Sequence, residues 1–197
     1  MSDRPFYYRK LFHLSGSIVA IGYLIIPERS LYLLILLPFL LAFLLVDILR
    51  LTSPRLNEIF FHLFSPLTAE KDIHQLNGST YYLISSSLAI LLLPREIAIA
   101  SMFYLSIGDS MAAIIGKKYG KVKILNKTLE GSLSCFILCF FVSLFFFNWK
   151  ISMIGAIFTT LIELFSSGDF RSPLLLDDNL LIPLLSGGIL LLSTRIF

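Results

Sequence analysis

Seven apolar stretches, at roughly 8–26, 31–49, 79–94, 96–116, 130–147, 150–166 and 179–194, make up most of this 197-residue chain. A helix needs about 20 mostly apolar residues to cross the hydrocarbon core of a bilayer, and somewhat fewer when its ends are anchored. Several of the seven are short, which leaves room for one re-entrant segment. Tight polar turns separate them: Pro27-Glu28-Arg29, Pro94-Arg95-Glu96 and Asn148-Trp149-Lys150. With 56% hydrophobic residues and a mean hydropathy of +0.84, the chain carries more apolar surface than a soluble domain of this size can hide. The pattern predicts an all-α integral membrane protein of about seven transmembrane helices, a single polytopic domain over 1–197. Arg9 and Lys10 precede the first stretch, but Leu11 to Ile26 lacks a convincing small-residue cleavage site, so it reads as a retained span rather than a signal peptide.

Basic residues accumulate on the cytoplasmic side of membrane proteins. With the N-terminus placed inside, twelve of the sixteen lysines and arginines fall on that side, among them Arg4, Arg9, Lys10, Arg50 and Arg55. Lys71, Arg171 and the five lysines between 117 and 127 complete that group, whereas Arg29, Arg95, Lys150 and Arg195 fall outside. The expectation is N-terminus cytoplasmic, C-terminus out. Loops 50–78, 117–129 and 167–178 then share the cytoplasmic face. In the first of them Ser53 suits an N-cap and Pro54 a first helical position. Leu56, Ile59, Phe60, Leu63 and Phe64 follow on one stripe, which predicts a short amphipathic helix near 53–64. It either lies in the membrane interface or packs on the spans.

Chemistry-bearing residues collect at the same face. An acid inside a span is costly, so such residues usually face a bundle interior or a wet cavity. Asp109 and Glu163 are two of these. Beside Asp109, Gly108, Ala112 and Gly116 recur every four residues, which lets another helix or a ligand approach the backbone. Glu70 and Asp72 precede Asn77-Gly78-Ser79-Thr80, Glu130 opens the fifth stretch, and "SSGDFRS" (166–172) leads to Asp177-Asp178-Asn179. Helix-start caps explain one of these clusters. Taken together they suit a divalent cation bridging phosphate oxygens. Across from them, "GKKYGKVKILNKT" (116–128) offers lysines and loop N–H groups for phosphates. Acids for a metal plus a basic loop are the equipment of phosphoryl transfer.

Other chemistries lack their signatures. Aligning Lys127-Thr128 on the phosphate-loop pattern puts Lys121 and Asn126 where glycines are required. There is no H-E-x-x-H, no G-x-S-x-G and no Cys/His metal pattern; Cys135 and Cys139 read as small hydrophobes. His62 and His74 stand apart, while His13 shares a helix face with Arg9 and reads either as a core or interface histidine or, with Arg9 and Lys10, as a contact for a phosphate or lipid headgroup.

The order "RKLFH" (9–13), Glu70, "NGSTYYLI" (77–84), "GDSMAAIIGKKYG" (108–120), "NKTLEGS" (126–132), "IELF" (162–165) and "DDNLLIPL" (177–184) resembles the CTP-dependent lipid-alcohol kinases. That family includes dolichol kinase, phytol kinase and CTP-using diacylglycerol kinase. The resemblance implies transfer of the γ-phosphate of CTP to a membrane alcohol with a divalent cation, magnesium or alternatively calcium. It implies a nucleotide site of Gly108, Asp109, Gly116, Lys117, Lys118, Gly120, Lys127, Thr128, Glu130, Gly131, Ser132 and Asn179. Arg9, Lys10, His13, Glu70, Asn77 and Gly78 match family positions suited to lipid or phosphate, and Glu163, Asp178 and Pro183 match as well. Glu130 leans toward the dolichol-kinase form, while the spacing of 116–128 leans toward the phytol and diacylglycerol members.

The combined expectation makes Asp109, Lys127, Glu163 and Asp178 catalytic. Lys127 is the main phosphate contact, and Asp109, Asp177 and Asp178 are metal candidates, with Asp109 alternatively the base for the alcohol proton. The expected partners are CTP, a lipid alcohol and the bilayer, with no nucleic acid. The rivals are a CTP-using phosphatidate cytidylyltransferase and a small transporter or scaffold. Apolar centres in the second, fifth and seventh stretches argue against transport.

Overall fold

The computed structural model describes residues 4–166 and 177–197. Helices fall on all seven apolar stretches. α1 (Arg4–Ser15) and α2 (Ser17–Ile25) share the first, broken at Gly16, where a Cβ would lie 2.9 Å from the His13 carbonyl and 3.0 Å from the Tyr82 ring. α3 (Arg29–Thr52) follows, then α4 (Pro54–Phe64), a short 3-10 turn (Glu70–Ile73), α5 (Gly78–Leu92) and α6 (Arg95–Phe103). A π turn (Tyr104–Asp109) joins α6 to α7 (Ser110–Tyr119). A two-strand hairpin, β1 (Lys123–Ile124) against β2 (Lys127–Thr128), leads to α8 (Leu129–Leu144), α9 (Trp149–Ser166) and α10 (Asp178–Ile196). The fold is thus helical as expected, with this small hairpin in addition.

Among the described residues four helices are long and apolar enough to cross a membrane: Arg29–Thr52, Arg95–Tyr119, Trp149–Ser166 and Asp178–Ile196. α5 and α8 are apolar but shorter, and the first stretch is divided by its break. The Arg95–Tyr119 rod is the hub. It is the most buried of the four, whereas α3 is the most exposed, with Leu34, Phe39, Leu41 and Leu45 on its surface. α9 packs between α8 and α10, α7 on α8, and α5 on both α3 and α10.

Ordinary α-helix hydrogen bonding gives way at 104–109, a kind of bulge that recurs at functional sites. The widened turn is held by neighbours. Tyr104 Oη hydrogen-bonds Ser143 Oγ of α8, and Ser17 Oγ of α2 donates to Ser106 Oγ at 2.9 Å. Gly108 packs on α8, where a Cβ would fall 2.7 Å from Cys139 Sγ and 3.3 Å from Cys135 Sγ. Both cysteines are free and buried, as expected of small hydrophobes.

A second anchor was not anticipated from the sequence. Asp47 and Arg50, three residues apart near the end of α3, are both buried and bonded at 2.6 Å. Asp47 Oδ2 also accepts from Asn77 N at 2.9 Å and Thr80 Oγ1 at 2.6 Å. Arg50 donates to the carbonyls of Asp72 and Gln75, both at 2.7 Å, and to Asn57 Oδ1 at 3.2 Å. Its guanidinium lies 5.0 Å from the Phe60 ring centroid, so α4 is packed against the pair. This network fixes the 65–78 connection and the start of α5. Ser53 occupies the N-cap position of α4 without a side-chain cap bond, and Pro54 begins the helix as expected.

Candidate active site

Asp109 ends the π turn, buried, and its Oδ2 accepts a 2.7 Å bond from Lys10 Nζ of α1. His13, nearly one turn after Lys10, brings Nε2 to 3.9 Å from the same oxygen. That nitrogen is buried and has no hydrogen-bond partner among the described residues.

Lys127 stands on β2, after a two-residue turn in which Leu125 adopts φ 54°. A side chain in that left-handed region is strained, on the order of 1–2 kcal/mol, so the packing around the hairpin must hold it there. Lys127 Nζ reaches the end of α9 and donates to both the carboxylate and the carbonyl of Glu163. Burial by itself would lower the Lys127 pKa, but Asp109 and Glu163 outweigh it and hold the pKa above the ordinary lysine value. The other Glu163 oxygen, Oε2, is buried with no hydrogen-bond partner among the described residues.

The third pair closes the far side. Lys71 Nζ lies 2.6 Å from Asp177 Oδ2 and 3.9 Å from Asp178 Oδ1. Here too burial would lower the lysine pKa, and the two aspartates raise it above the usual value instead. Asp177 is the N-cap of α10, its Oδ1 accepting from Asn179 N at 3.0 Å and Asn179 Nδ2 at 2.7 Å. Neighbouring Asp72 accepts from Ala69 N at 2.9 Å, and burial pushes its carboxyl pKa up.

These groups line two cavities that share a wall. The larger, about 500 Å³, includes Asp109, Gly116, Lys117, Lys127, Ser132 and Glu163 in its lining. The smaller, about 260 Å³, includes His13, Lys71, Asn77, Gly78, Ser79 and Asn179. Arg9, Lys10, Asp109 and Asp178 line both. Residues up to 170 positions apart in the chain therefore meet around one carboxylate pair.

Other residues of the expected set serve the local structure. Gly108 serves the contact with the cysteines. Gly120 ends α7, where a Cβ would stand 2.2 Å from the Gly116 carbonyl oxygen. Lys118 is exposed, its Nζ 5.1 Å from the Tyr119 ring centroid. Glu130 accepts from Val122 N at 3.3 Å, so it braces the hairpin rather than facing a cavity. Thr128 caps α8 by accepting from Gly131 N at 3.2 Å, while Gly131 keeps α7 and α8 close, since a Cβ there would fall 2.6 Å from Ala112 O. Both also line the larger cavity. The Glu70 side chain and the "SGDFRS" residues 167–172 lie outside the described residues.

The oxygen-rich donor set suits a hard divalent cation, and Asn179 Oδ1, buried with no hydrogen-bond partner among the described residues, is a ready ligand atom. Among the described residues, however, no three His, Cys, Asp or Glu side chains cluster closely enough to hold a metal by themselves. Of the three aspartates expected as metal candidates, Asp177 has its oxygens engaged by the cap and by Lys71 and lines neither cavity, whereas Asp109 and Asp178 line both. Magnesium characteristically takes one or two carboxylates and completes its shell with water and phosphate oxygens, which matches this arrangement better than a protein-only cage.

Comparison with curated proteins bears out the resemblance. The chain is 32% identical over 134 residues to CTP-dependent diacylglycerol kinase 1 of Saccharomyces cerevisiae, covering 65% of this chain and 46% of that one. It is 42% identical over 85 residues to dolichol kinase of the same yeast, covering 40% and 16%. The chain is thus similar to kinases of lipid alcohols, the proteins its motifs resemble. It is also 28% identical over 186 residues to an uncharacterized protein of Rickettsia prowazekii, across 89% of this chain and 88% of the other. It therefore spans nearly all of one relative and less than half of the named kinases. No family model and no solved structure matches it.

Proposed function

We propose that this protein is a membrane lipid kinase that transfers the γ-phosphoryl group of CTP to the hydroxyl of a lipid alcohol. The observation that carries this is the pair of joined cavities, one rich in lysine and loop backbone, the other bordered by α5 and α10, meeting at Asp109 and Asp178. In our reading the triphosphate occupies the larger cavity, with Lys127 released from Glu163 to a phosphate oxygen and the α8 N-terminus at Gly131 and Ser132 beneath it. The acceptor hydroxyl occupies the smaller cavity. Its oxygen bonds to the γ-phosphorus, the bond from that phosphorus to the bridging oxygen of the β-phosphate breaks, CDP leaves, and the hydroxyl proton passes to Asp109. Positioning and charge neutralisation supply most of the rate in such transfers. Asp178 and Asn179 would hold a divalent cation, whose charge would offset that of the phosphates. Lys10, released from Asp109, turns to the same phosphates.

The membrane arrangement belongs to the same proposal: one polytopic domain of seven spans, N-terminus inside, with these cavities on the cytoplasmic face where CTP is present. The bias of basic residues supports it. CTP as donor is supported by the printed name of the diacylglycerol kinase relative.

Purified protein given γ-labelled CTP, magnesium and a panel of polyprenol, phytol, diacylglycerol and phosphatidate tests the reading. Label in one of the lipids is the expected result. A cytidylyltransferase would instead put label only in pyrophosphate and CMP on phosphatidate. Absence of any transfer would favour a transporter or scaffold.

A further inference from the structure

A third cleft, about 380 Å³, opens beside the smaller cavity and differs from it in character. Its walls include Ala42, Phe43 and Val46 of α3 and Phe60 and Phe64 of α4. Phe12, Leu67, Asn77 and Ser79 line both this cleft and the smaller cavity. One end of the cleft therefore borders the group of polar residues around Asp109, and the other borders α3, the most exposed of the membrane-length helices.

The charged group in its wall is already committed. Both Asp47 oxygens accept hydrogen bonds, from Arg50, Asn77 N and Thr80 Oγ1, and Asn77 Oδ1 accepts from Ser79 N at 3.0 Å. What the cleft presents is hydrocarbon. Phe12, Phe43 and Phe64 are each about 40% exposed at its margins, and burying aromatic and aliphatic surface of that kind yields roughly 25 cal/mol per Å². A volume of this size is in the range of sites for small organic ligands. Water would fill it poorly, and a headgroup or nucleotide would leave its polar atoms unsatisfied there. A chain attached to a hydroxyl fits both ends at once.

We infer that the cleft between α3, α4 and the 65–80 segment is the binding site for the first part of the acceptor lipid's hydrocarbon chain, admitted sideways from the bilayer with the hydroxyl directed past Asn77 and Ser79 toward Asp109. This rests on the kinase reading for the identity of the lipid as acceptor, but not for its location. α4 acts as the outer wall, and the Arg50 stack beneath Phe60 fixes where that wall stands. The Asp47 network thereby sets the width of the cleft.

The test uses the full chain in phosphatidylcholine nanodiscs with a diacylglycerol carrying a diazirine near the glycerol end of one acyl chain. Illumination should label residues 42–46 and 60–67, and excess unlabelled diacylglycerol should suppress that labelling. Ala42→Trp and Val46→Trp, at exposed positions where added bulk enters the cleft rather than the core, should abolish the labelling and raise the KM for diacylglycerol at least tenfold, leaving the KM for CTP unchanged. Labelling confined to other helices, or labelling and KM unaffected by both tryptophans, would overturn the inference. If competed labelling maps to the cleft while wild-type protein transfers no phosphate from CTP, the lipid site stands and the kinase reading falls.

Discussion

Two buried charged regions of this molecule differ in how completely they are satisfied. Around Asp47 and Arg50, each carboxylate oxygen and each of Nε, Nη1 and Nη2 has a hydrogen-bond partner, and an aromatic ring faces the guanidinium. Around Asp109 and Glu163 the pairs with Lys10 and Lys127 are just as short, yet Glu163 Oε2, His13 Nε2, Asn179 Oδ1 and Ser132 Oγ are buried with no hydrogen-bond partner among the described residues. Open cavities adjoin them. Unpaired buried polar groups cost about 1–3 kcal/mol each, so a region that retains four of them beside a cavity is poised for a ligand that supplies the missing partners. A saturated network holds structure; an unsaturated one waits for charge.

The comparison breaks most readily at Arg50. Arg50→Ala strands a buried carboxylate and three acceptors, and should cost about 3–5 kcal/mol of stability. Thermal unfolding in detergent should show a large fall, with kcat at saturating lipid retained in the molecules that stay folded. A loss no greater than that of Lys127→Ala would remove the distinction. Lys127→Ala should instead lower kcat by roughly 10²–10³, the size expected for removing one preorganised charge contact, while its unfolding temperature falls by less than that of Arg50→Ala. Transfer from γ-labelled CTP measures it.

Asp178→Asn and Asp177→Ala sharpen the metal side. The first should raise the magnesium concentration for half-maximal activity by on the order of tenfold. The second should leave that concentration unchanged and lower thermal stability by about 1 kcal/mol through the cap. Thr128→Ala should cost a similar ~1 kcal/mol, seen as a small fall in the unfolding temperature.

The smallest effect is a pH dependence. Lys71 and Lys127 both have folded pKa values above the ordinary lysine value. Groups raised on folding stabilise fully below the unfolded pKa, about 10.4 for lysine, and lose that contribution as pH climbs through the folded pKa. The stability difference between wild type and Lys71→Ala should stay flat from pH 7 to about 10 and shrink above it. Lys71 is half exposed, so the difference itself is small. A decline already between pH 7 and 9 would show that the Asp177 pairing is not as described.

Much of this was legible along the chain because it depends on local composition. Apolar runs of near-membrane length became helices at the expected places. Asn77, Thr128 and Asp177 cap the helices that follow them. Asp109, Lys127, Glu163 and Asp178 could be singled out because charge within or beside an apolar span is expensive and therefore conspicuous. The resemblance supplied the order of motifs. The π turn was not legible, since nothing in "YLSIGD" differs from ordinary helix until Ser143, Ser17 and the cysteines close on it. The partnership of Asp47 with Arg50 did have a signal, opposite charges three apart at a span's end, but its meaning depends on Asp72, Gln75 and Asn77 arriving from the next loop.

The sequence by itself determined that this chain is helical, apolar enough for a bilayer, and equipped with acids and lysines in the order of the lipid-alcohol kinases, because periodicity, hydropathy and motif spacing are properties of neighbouring residues. Tertiary structure alone decided which lysine meets which acid, that Gly108 packs on cysteines, that Asp177 caps a helix while Asp178 faces two cavities, and that an apolar cleft runs alongside them. Those outcomes depend on contacts between residues as far apart as Lys10 and Asp109 or Lys71 and Asp177, and no local pattern encodes a distance that only the packing of helices sets.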